Sequence, residues 1–386
     1  MAIRLIAVGE LADLEHELLR ESIRAFVRRE VAPHMEEWER AQEIPRALHR
    51  KAAAAGFLAA NYPVSVGGGG GDINDSIVIT EELIQGGGSS GLCAALLTHG
   101  IAIPHILAAG DAAQIDRYVR PTLRGELIGA LAVTEPDAGS DVANLRTRAV
   151  KQGDHYLVTG AKTFITSGCR ADFVTTAVRT GGPGHTGVSL LVIDTNLPGF
   201  AVTRKLEKMG WLCSDTAELS FNEVRVPAAN LVGEEGTGFR QIMRNFQSER
   251  VFIAVQAYAT AERCLQLSIA WARERKTFGG PLIEKQVIRH RLAEMARRTD
   301  VAREYTRLVA ARLAAGEEVS LQVAMAKNTA VEACSYVVNQ AVQIHGGSGY
   351  MRDSEVERHF RDARILGIGG GADEIMNEVI AARIGL

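Results

Sequence analysis

The 386-residue sequence predicts an α+β protein in three parts: an N-terminal α-helical domain over residues 1–126, a middle β-domain over 127–235 and a C-terminal four-helix bundle over 236–386. Three observations carry that division. Apolar residues recur at helical spacing through the first third, and from Leu127 they give way to β-branched runs separated by turn residues. From Gly238 the helical period returns, in segments long enough for an antiparallel bundle joined by short loops.

Taken in order, the stripe Leu14, Leu18, Ile23, Phe26 and Val27 lies between Asp13, a capping residue, and Pro33, and predicts a surface helix over 13–31. Further helices are expected at 45–55, 75–84, 91–108 and 112–123, punctuated by Gly and Pro. Gly67 to Gly71 reads as a mobile loop. The small residues from Gly86 to Gly91 read either as a flexible connection or as space that a ligand's tail fills. Strands are expected at 127–133, 155–160, 172–178, 188–194 and 216–226, and long helices at 239–273, 283–314, 321–344 and 372–384.

Charge excludes whole classes of partner. With 43 Lys and Arg against 46 Asp and Glu, and a pI near 6.4, nothing favours nucleic acid or an anionic membrane surface. Residues 1–10 hold an apolar run shorter than a signal-peptide core, and no run of 18 apolar residues predicts a membrane span. Cys93, Cys169, Cys213, Cys264 and Cys334 are odd in number and lack C-x-x-C spacing, which argues for a reducing, cytoplasmic setting rather than a disulfide framework or a zinc site.

Glycine-rich turns are the other strong signal. Gln343-Ile-His-Gly-Gly-Ser-Gly-Tyr350, the arginine-rich segment 356–364 and Gly367-Ile-Gly-Gly-Gly-Ala372 read as helix, glycine turn, helix, glycine turn, helix. Such turns either just end helices or bring backbone N–H groups close to a bound cofactor. Gly182-Pro-Gly-His-Thr-Gly187 spells G-x-G-x-x-G but joins two strands, so it reads as a hairpin loop and not a dinucleotide turn. No P-loop, H-E-x-x-H or G-x-S-x-G sequence occurs, and redox chemistry here needs a cofactor held without a Rossmann fold. Thr134-Glu-Pro-Asp-Ala-Gly-Ser-Asp141 and Phe164-Ile-Thr-Ser-Gly168 are either ordinary turns or clustered donors for the edge of a heteroaromatic ring. Arg273-Glu-Arg-Lys-Thr-Phe-Gly279 is either a solvated helix end or a cationic grip on a pyrophosphate beside an adenosine.

Five segments stand together in one chain and in order: 132–141, 162–168, Lys208-Met-Gly210, 275–279 and 343–350. Together they closely resemble the FAD-dependent acyl-CoA dehydrogenases, over nearly the whole chain. The resemblance implies an isoalloxazine ring between the β-domain and the C-terminal bundle. Leu131, Val133, Thr134 and Ser140 match the first flavin segment, and Phe164 with Thr166 the second, with Phe164 standing where many relatives carry Trp. Ala372 and Glu374 match further cofactor positions, although Ala372 replaces a usual Thr. Arg275, Phe278, Gln286, Gln343 and Gly347 match positions that hold the FAD pyrophosphate and adenosine across a subunit boundary, which implies a homo-oligomer, usually a tetramer.

The reaction so implied is α,β-dehydrogenation of an acyl-CoA thioester to the trans-2-enoyl-CoA, as in the β-oxidation of fatty acids. A base takes the α proton, and a backbone N–H, here that of Gly370, helps polarise the thioester carbonyl. Many members carry the base as Glu in the last glycine turn, where this chain reads Gly369-Gly370-Gly371-Ala372. The long-chain and isovaleryl branches instead place it on the first long helix of the bundle, just before an arginine. Glu249-Arg250 stands at that place, so Glu249 is expected as base and Arg250 as a substrate-positioning residue, with Ser140 and Gly370 also on the substrate side. A medium, long or branched acyl chain and an electron-transfer flavoprotein as acceptor complete the expectation. The alternatives are a flavin-dependent monooxygenase or oxidase on the same fold, and a non-catalytic acyl-CoA-binding flavoprotein.

Overall fold

The computed structural model describes residues 8–386, with side chains from His16 onward; most of the expectation for residues 1–10, and the side chains of Asp13 and Leu14, fall outside it. Among the described residues nine α-helices come first: α1 (Val8–Glu30), α2 (Met35–Ala41), α3 (Arg46–Ala54), α4 (Ile73–Gln85), α5 (Ser90–Leu96), α6 (His99–Ala102), α7 (Pro104–Ala109), α8 (Ala112–Gln114) and α9 (Arg120–Leu123). The β part holds β1 (Gly129–Ala132), β2 (Arg148–Gln152), β3 (His155–Thr166), β4 (Phe173–Arg179), β5 (Val188–Asp194), β6 (Phe200–Lys205) and β7 (Thr216–Pro227). The closing part is α10 (Gly238–Glu274), the hairpin β8 (Lys276–Thr277) and β9 (Gly280–Pro281), then α11 (Gln286–Ala314), α12 (Ser320–His345), α13 (Glu355–Ala363) and α14 (Asp373–Ile384).

The helix–sheet–helix order is the one the residue patterns predict. Helices α10, α11 and α12 pack on one another, α12 also receives α13 and α14, and α4 lies along α10. The two helical parts therefore share a single core in which Phe26 and Leu83 belong with Tyr258 and Val337. In the sheet the order is β1-β4-β2-β3-β7-β6, with β5 on β4 and β1 running parallel to β4. One sheet face buries Phe173 and Leu190 against Ile103, Ile106 and Tyr118, and the other buries Val158, Val174 and Phe221.

Several local expectations fail for identifiable reasons. Helix α1 begins before Asp13, which lies inside it and not at its start. The expected helix over 91–108 is three pieces, with Pro104 at the start of α7, because proline cannot donate to the preceding turn. Strands β2 and β6 lack the alternating pattern and are largely exposed. The expected mobile loop is ordered: Gly68, Gly69, Gly70 and Gly71 donate to the carbonyls of Pro63, Ala59, Tyr62 and Ala60. A Cβ on Gly68 would stand 2.0 Å from the Tyr62 carbonyl oxygen, so glycine is required there for close backbone approach.

Three of the small residues 86–91 make room for protein. A Cβ would meet Val27 at 2.5 Å from Gly86, the Leu83 carbonyl at 2.4 Å from Gly88 and Trp211 at 2.9 Å from Gly91. Protein atoms fill the space beside those three glycines, which explains the small residues without a ligand.

Candidate active site

One wall of the expected site is built by the sheet. Beyond β1 the chain turns through Val133 and Thr134, and beside it β3 carries a bulge against β7 between Lys162 and Ile165. The bulge holds Phe164 at φ +61° and leaves its ring 68% exposed, while Ile165 on the other side is buried. Thr163 N–H donates to the Thr134 carbonyl at 3.0 Å, which sets the two expected flavin segments side by side. Beneath them Lys162, fully buried, donates to the Val133 carbonyl at 2.9 Å and to Glu135 at 2.8 Å. Burial pushes the Lys162 ammonium down to about 8 despite the Glu135 carboxylate beside it. Burial works in the opposite sense on Glu135, but Lys162 and the Arg146 and Thr147 amides outweigh it and hold the acid below the ordinary carboxylate range. Val133 is buried, Leu131, Thr134 and Thr166 are half-buried, and Ser140 is exposed on the turn.

The other wall of the expected site is helical. Glu249 and Arg250 lie in α10, and the Arg250 Nε donates at 3.1 Å to the carbonyl of Gly370, 120 positions later in the chain. That bond ties the helix bearing the carboxylate to the last glycine turn. Gly370 and Gly371 stand at φ +64° and +100°, left-handed backbone that L side chains adopt only with strain. A Cβ on Gly370 would lie 2.4 Å from the Ile253 Cδ1, so Glu249, Arg250, Ile253 and Gly370 form one neighbourhood.

Solvent reaches part of Glu249, yet protein packs round its carboxyl. Burial raises its pKa to about 8, against the Asn245 amide that donates to Oε1 at 2.6 Å and the Arg250 charge, both of which favour the carboxylate. The result is a carboxyl of raised basicity, suited to taking a proton from carbon near neutral pH. Ala372 caps the start of α14 and Glu374 lies exposed in its first turn.

The remaining expected residues stand elsewhere. Arg275 follows the last turn of α10, and Phe278 at the tip of the β8–β9 hairpin is fully exposed at φ +49°. Trp271 stacks on His345 with ring centroids 5.0 Å apart, which sets this hairpin beside the end of α12, where Gln343 and Gly347 are exposed. Gln286, exposed at the start of α11, lines a shallow groove with His290, Arg291 and Tyr336. From Glu249 to Arg275 is 26 residues of α10, about 39 Å at the rise of an α-helix, further than one dinucleotide extends.

Sequence reasoning passed over three partners of these residues. Lys162 lay inside a quoted motif with no role assigned, and Glu135 likewise; Asn245, four residues before Glu249, follows from helical spacing alone.

The residues suit a flavin dinucleotide. Phe164 is a strained, exposed aromatic beside hydroxyls, Ser167 keeps a buried Oγ with no partner among the described residues, and Phe278 with Arg275 offers a second aromatic and a cation.

Comparison with known proteins agrees along the whole chain. The family models described as the N-terminal, middle and C-terminal domains of acyl-CoA dehydrogenase match residues 13–126, 130–224 and 236–385. The long-chain specific acyl-CoA dehydrogenase of Rattus norvegicus mitochondria is 37% identical over 98% of this chain and 88% of its own length. A crystal structure from Mycobacterium abscessus, described as a probable acyl-CoA dehydrogenase, is 67% identical with a TM-score of 0.95, covering 96% of this chain and 99% of that one. The prolyl acyl carrier protein oxidase AnaB is similar too, at 31% identity and a TM-score of 0.92, covering 96% and 99%. A helix–sheet–helix chain with these matches end to end belongs to the acyl-CoA dehydrogenase family of FAD-dependent oxidoreductases.

Proposed function

We propose that this chain dehydrogenates an acyl-CoA thioester between its α and β carbons with Glu249 as the base, giving the trans-2-enoyl-CoA. The single observation that supports this reading is the Arg250–Gly370 bond, which ties the helix that carries Glu249, a carboxyl of raised basicity, to a glycine turn that lacks a carboxyl of its own. Bound FAD supplies the acceptor for the hydride equivalent that leaves the β carbon. Glu249 takes the α proton onto its carboxylate. The Gly370 N–H, in a turn with no side chain to block approach, helps hold the thioester oxygen as negative charge builds on it. Arg250 fixes that turn through the Gly370 carbonyl and leaves Glu249 the only acid of the pair.

The acyl chain is proposed as medium, long or branched, on the strength of the base standing on α10 as in the long-chain and isovaleryl branches. The filled space at 86–91 lends no support to a bulky tail. An electron-transfer flavoprotein is the proposed acceptor, in a reducing cytoplasm that suits five unpaired cysteines. The 39 Å or so between Glu249 and Arg275 favours a homo-oligomer, a tetramer by analogy, in which each FAD lies between the sheet of one copy and the hairpin of another.

Anaerobic mixing with a panel of acyl-CoAs tests the reading. Bleaching of the flavin without oxygen is expected, fastest with the preferred chain length. If no acyl-CoA bleaches it, dehydrogenation is excluded. The likeness to AnaB keeps an oxidase in view, and rapid reoxidation of the bleached enzyme by oxygen would mark that chemistry.

A further inference from the structure

The buried Lys162–Glu135 pair is a charge that the proposed chemistry does not use. A lysine with no exposed surface is rare, because desolvation opposes its charge. Its contacts are all with the backbone and acid under the flavin wall. Lys162 Nζ donates to the Val133 carbonyl at 2.9 Å and to Glu135 Oε1 at 2.8 Å. Glu135 in turn accepts from Thr147 N–H at 2.9 Å on the same oxygen and from Arg146 N–H at 2.5 Å on the other. Every contact made by the pair therefore fixes main chain.

The peptide unit is planar and trans, so the Val133 carbonyl and the Thr134 N–H point in opposite directions. Pinning the carbonyl inward onto Lys162 turns the N–H the opposite way, away from the buried ion pair. That N–H finds no acceptor among the described residues. Lys162 also sits at the start of the β3 bulge, two residues before Phe164, so the same anchor holds both flavin-facing features.

We propose that Lys162, with Glu135 as its counter-ion, is a positioning residue for the cofactor: it aims the Thr134 N–H at the flavin ring and fixes the bulge that presents Phe164. The inference rests on the reading of Thr134 and Phe164 as flavin-facing. A donor aimed at the ring favours its reduced, more electron-rich form, so losing it makes the potential more negative.

The test uses FAD-loaded enzyme and three readouts other than turnover: the visible circular dichroism of the flavin, its midpoint potential and the FAD dissociation constant. Lys162→Met should alter the dichroism, shift the potential to more negative values and weaken FAD binding about tenfold, the scale of one lost hydrogen bond. Because the single variant strands a buried carboxylate, Glu135→Gln/Lys162→Met is measured beside it. The double variant should regain much of the melting temperature while keeping the altered flavin signals. Wild-type dichroism, potential and affinity in whichever of these variants folds would overturn the proposal. Phe164→Ala separates the two levels: unchanged flavin signals in it as well overturn the flavin-facing reading, whereas a change in Phe164→Ala alone overturns only the role of Lys162.

Discussion

The two walls of the expected site are built on opposite plans. The sheet wall is over-determined: Val133, Thr134 and the Phe164 bulge are fixed by a buried ion pair, two backbone amides on Glu135 and a strand-to-turn hydrogen bond. The helical wall hangs on little, with Gly370 and Gly371 in left-handed backbone and the Arg250 guanidinium reaching the turn from another helix. A planar cofactor that stays bound gains from a stiff platform. A turn that must accept a thioester, and leave room for charge to develop on it, gains from having no side chains. The comparison predicts that damage to the first wall appears in the cofactor, and damage to the second in the rate.

The largest effect separates them most cleanly. Glu249→Gln keeps the shape and the Asn245 contact but removes the base, and flavin reduction by acyl-CoA should slow by about 10²–10⁴-fold. Its FAD content and visible spectrum should match the wild type. A variant that reduces at the wild-type rate in stopped flow would place the base elsewhere.

Gly370→Ala comes next. The new Cβ meets only the movable end of Ile253, but φ +64° costs an L residue about 1–2 kcal/mol, and the strain falls on the peptide that faces the thioester. Reduction should slow by about 10²-fold, toward the lower end for loss of an oxyanion donor, with a lower melting temperature and FAD retained. Loss of FAD instead would tie the turn to the cofactor and blur the division between the walls.

Arg250→Lys is milder. Lysine keeps the charge but has no Nε–H in the guanidinium plane to reach the Gly370 carbonyl, so reduction should fall by about tenfold. Lys–Arg equivalence in single-turnover kinetics would show that charge alone, and not the clamp, matters.

The sheet wall was legible in the sequence because it is local: each flavin segment is a contiguous run at the end of a strand, and β-branched periodicity predicts those strands. The helical wall was legible only by its gap. Gly370 stands where many relatives carry the base, the resemblance alone points to Glu249 in its stead, and no periodicity or spacing predicts that Arg250, 120 positions before Gly370, touches the turn. The glycine runs misled for one physical reason. At Gly68, Gly88 and Gly91 the absent side chain makes room for protein backbone or a neighbouring residue, and a sequence does not distinguish that from room for a ligand. Lys162 escaped notice because a lysine between apolar strand residues reads as solvent-facing until its burial is seen.

Asn245→Ala is the smallest change and the finest probe of the helical wall. Burial sets the Glu249 carboxyl near about 8, and the Asn245 amide pulls in the other direction by donating to the charged form. A base acts when deprotonated, so kcat/KM in the wild type should rise with pH through about 8 and level off above it. Removing the donor raises the carboxyl further, moving the inflection to higher pH and lowering the rate at neutral pH while the alkaline plateau holds. Stability must move the opposite way. The folded pKa lies above that of an unfolded glutamate, so between the two the native state holds the extra proton, and the Glu249 contribution to stability falls as pH rises. Asn245→Ala should extend that fall to higher pH in a melting-temperature profile, and Glu249→Gln should abolish it. An inflection that shifts to lower pH in Asn245→Ala would mean that the titrating base is not the carboxyl this amide touches.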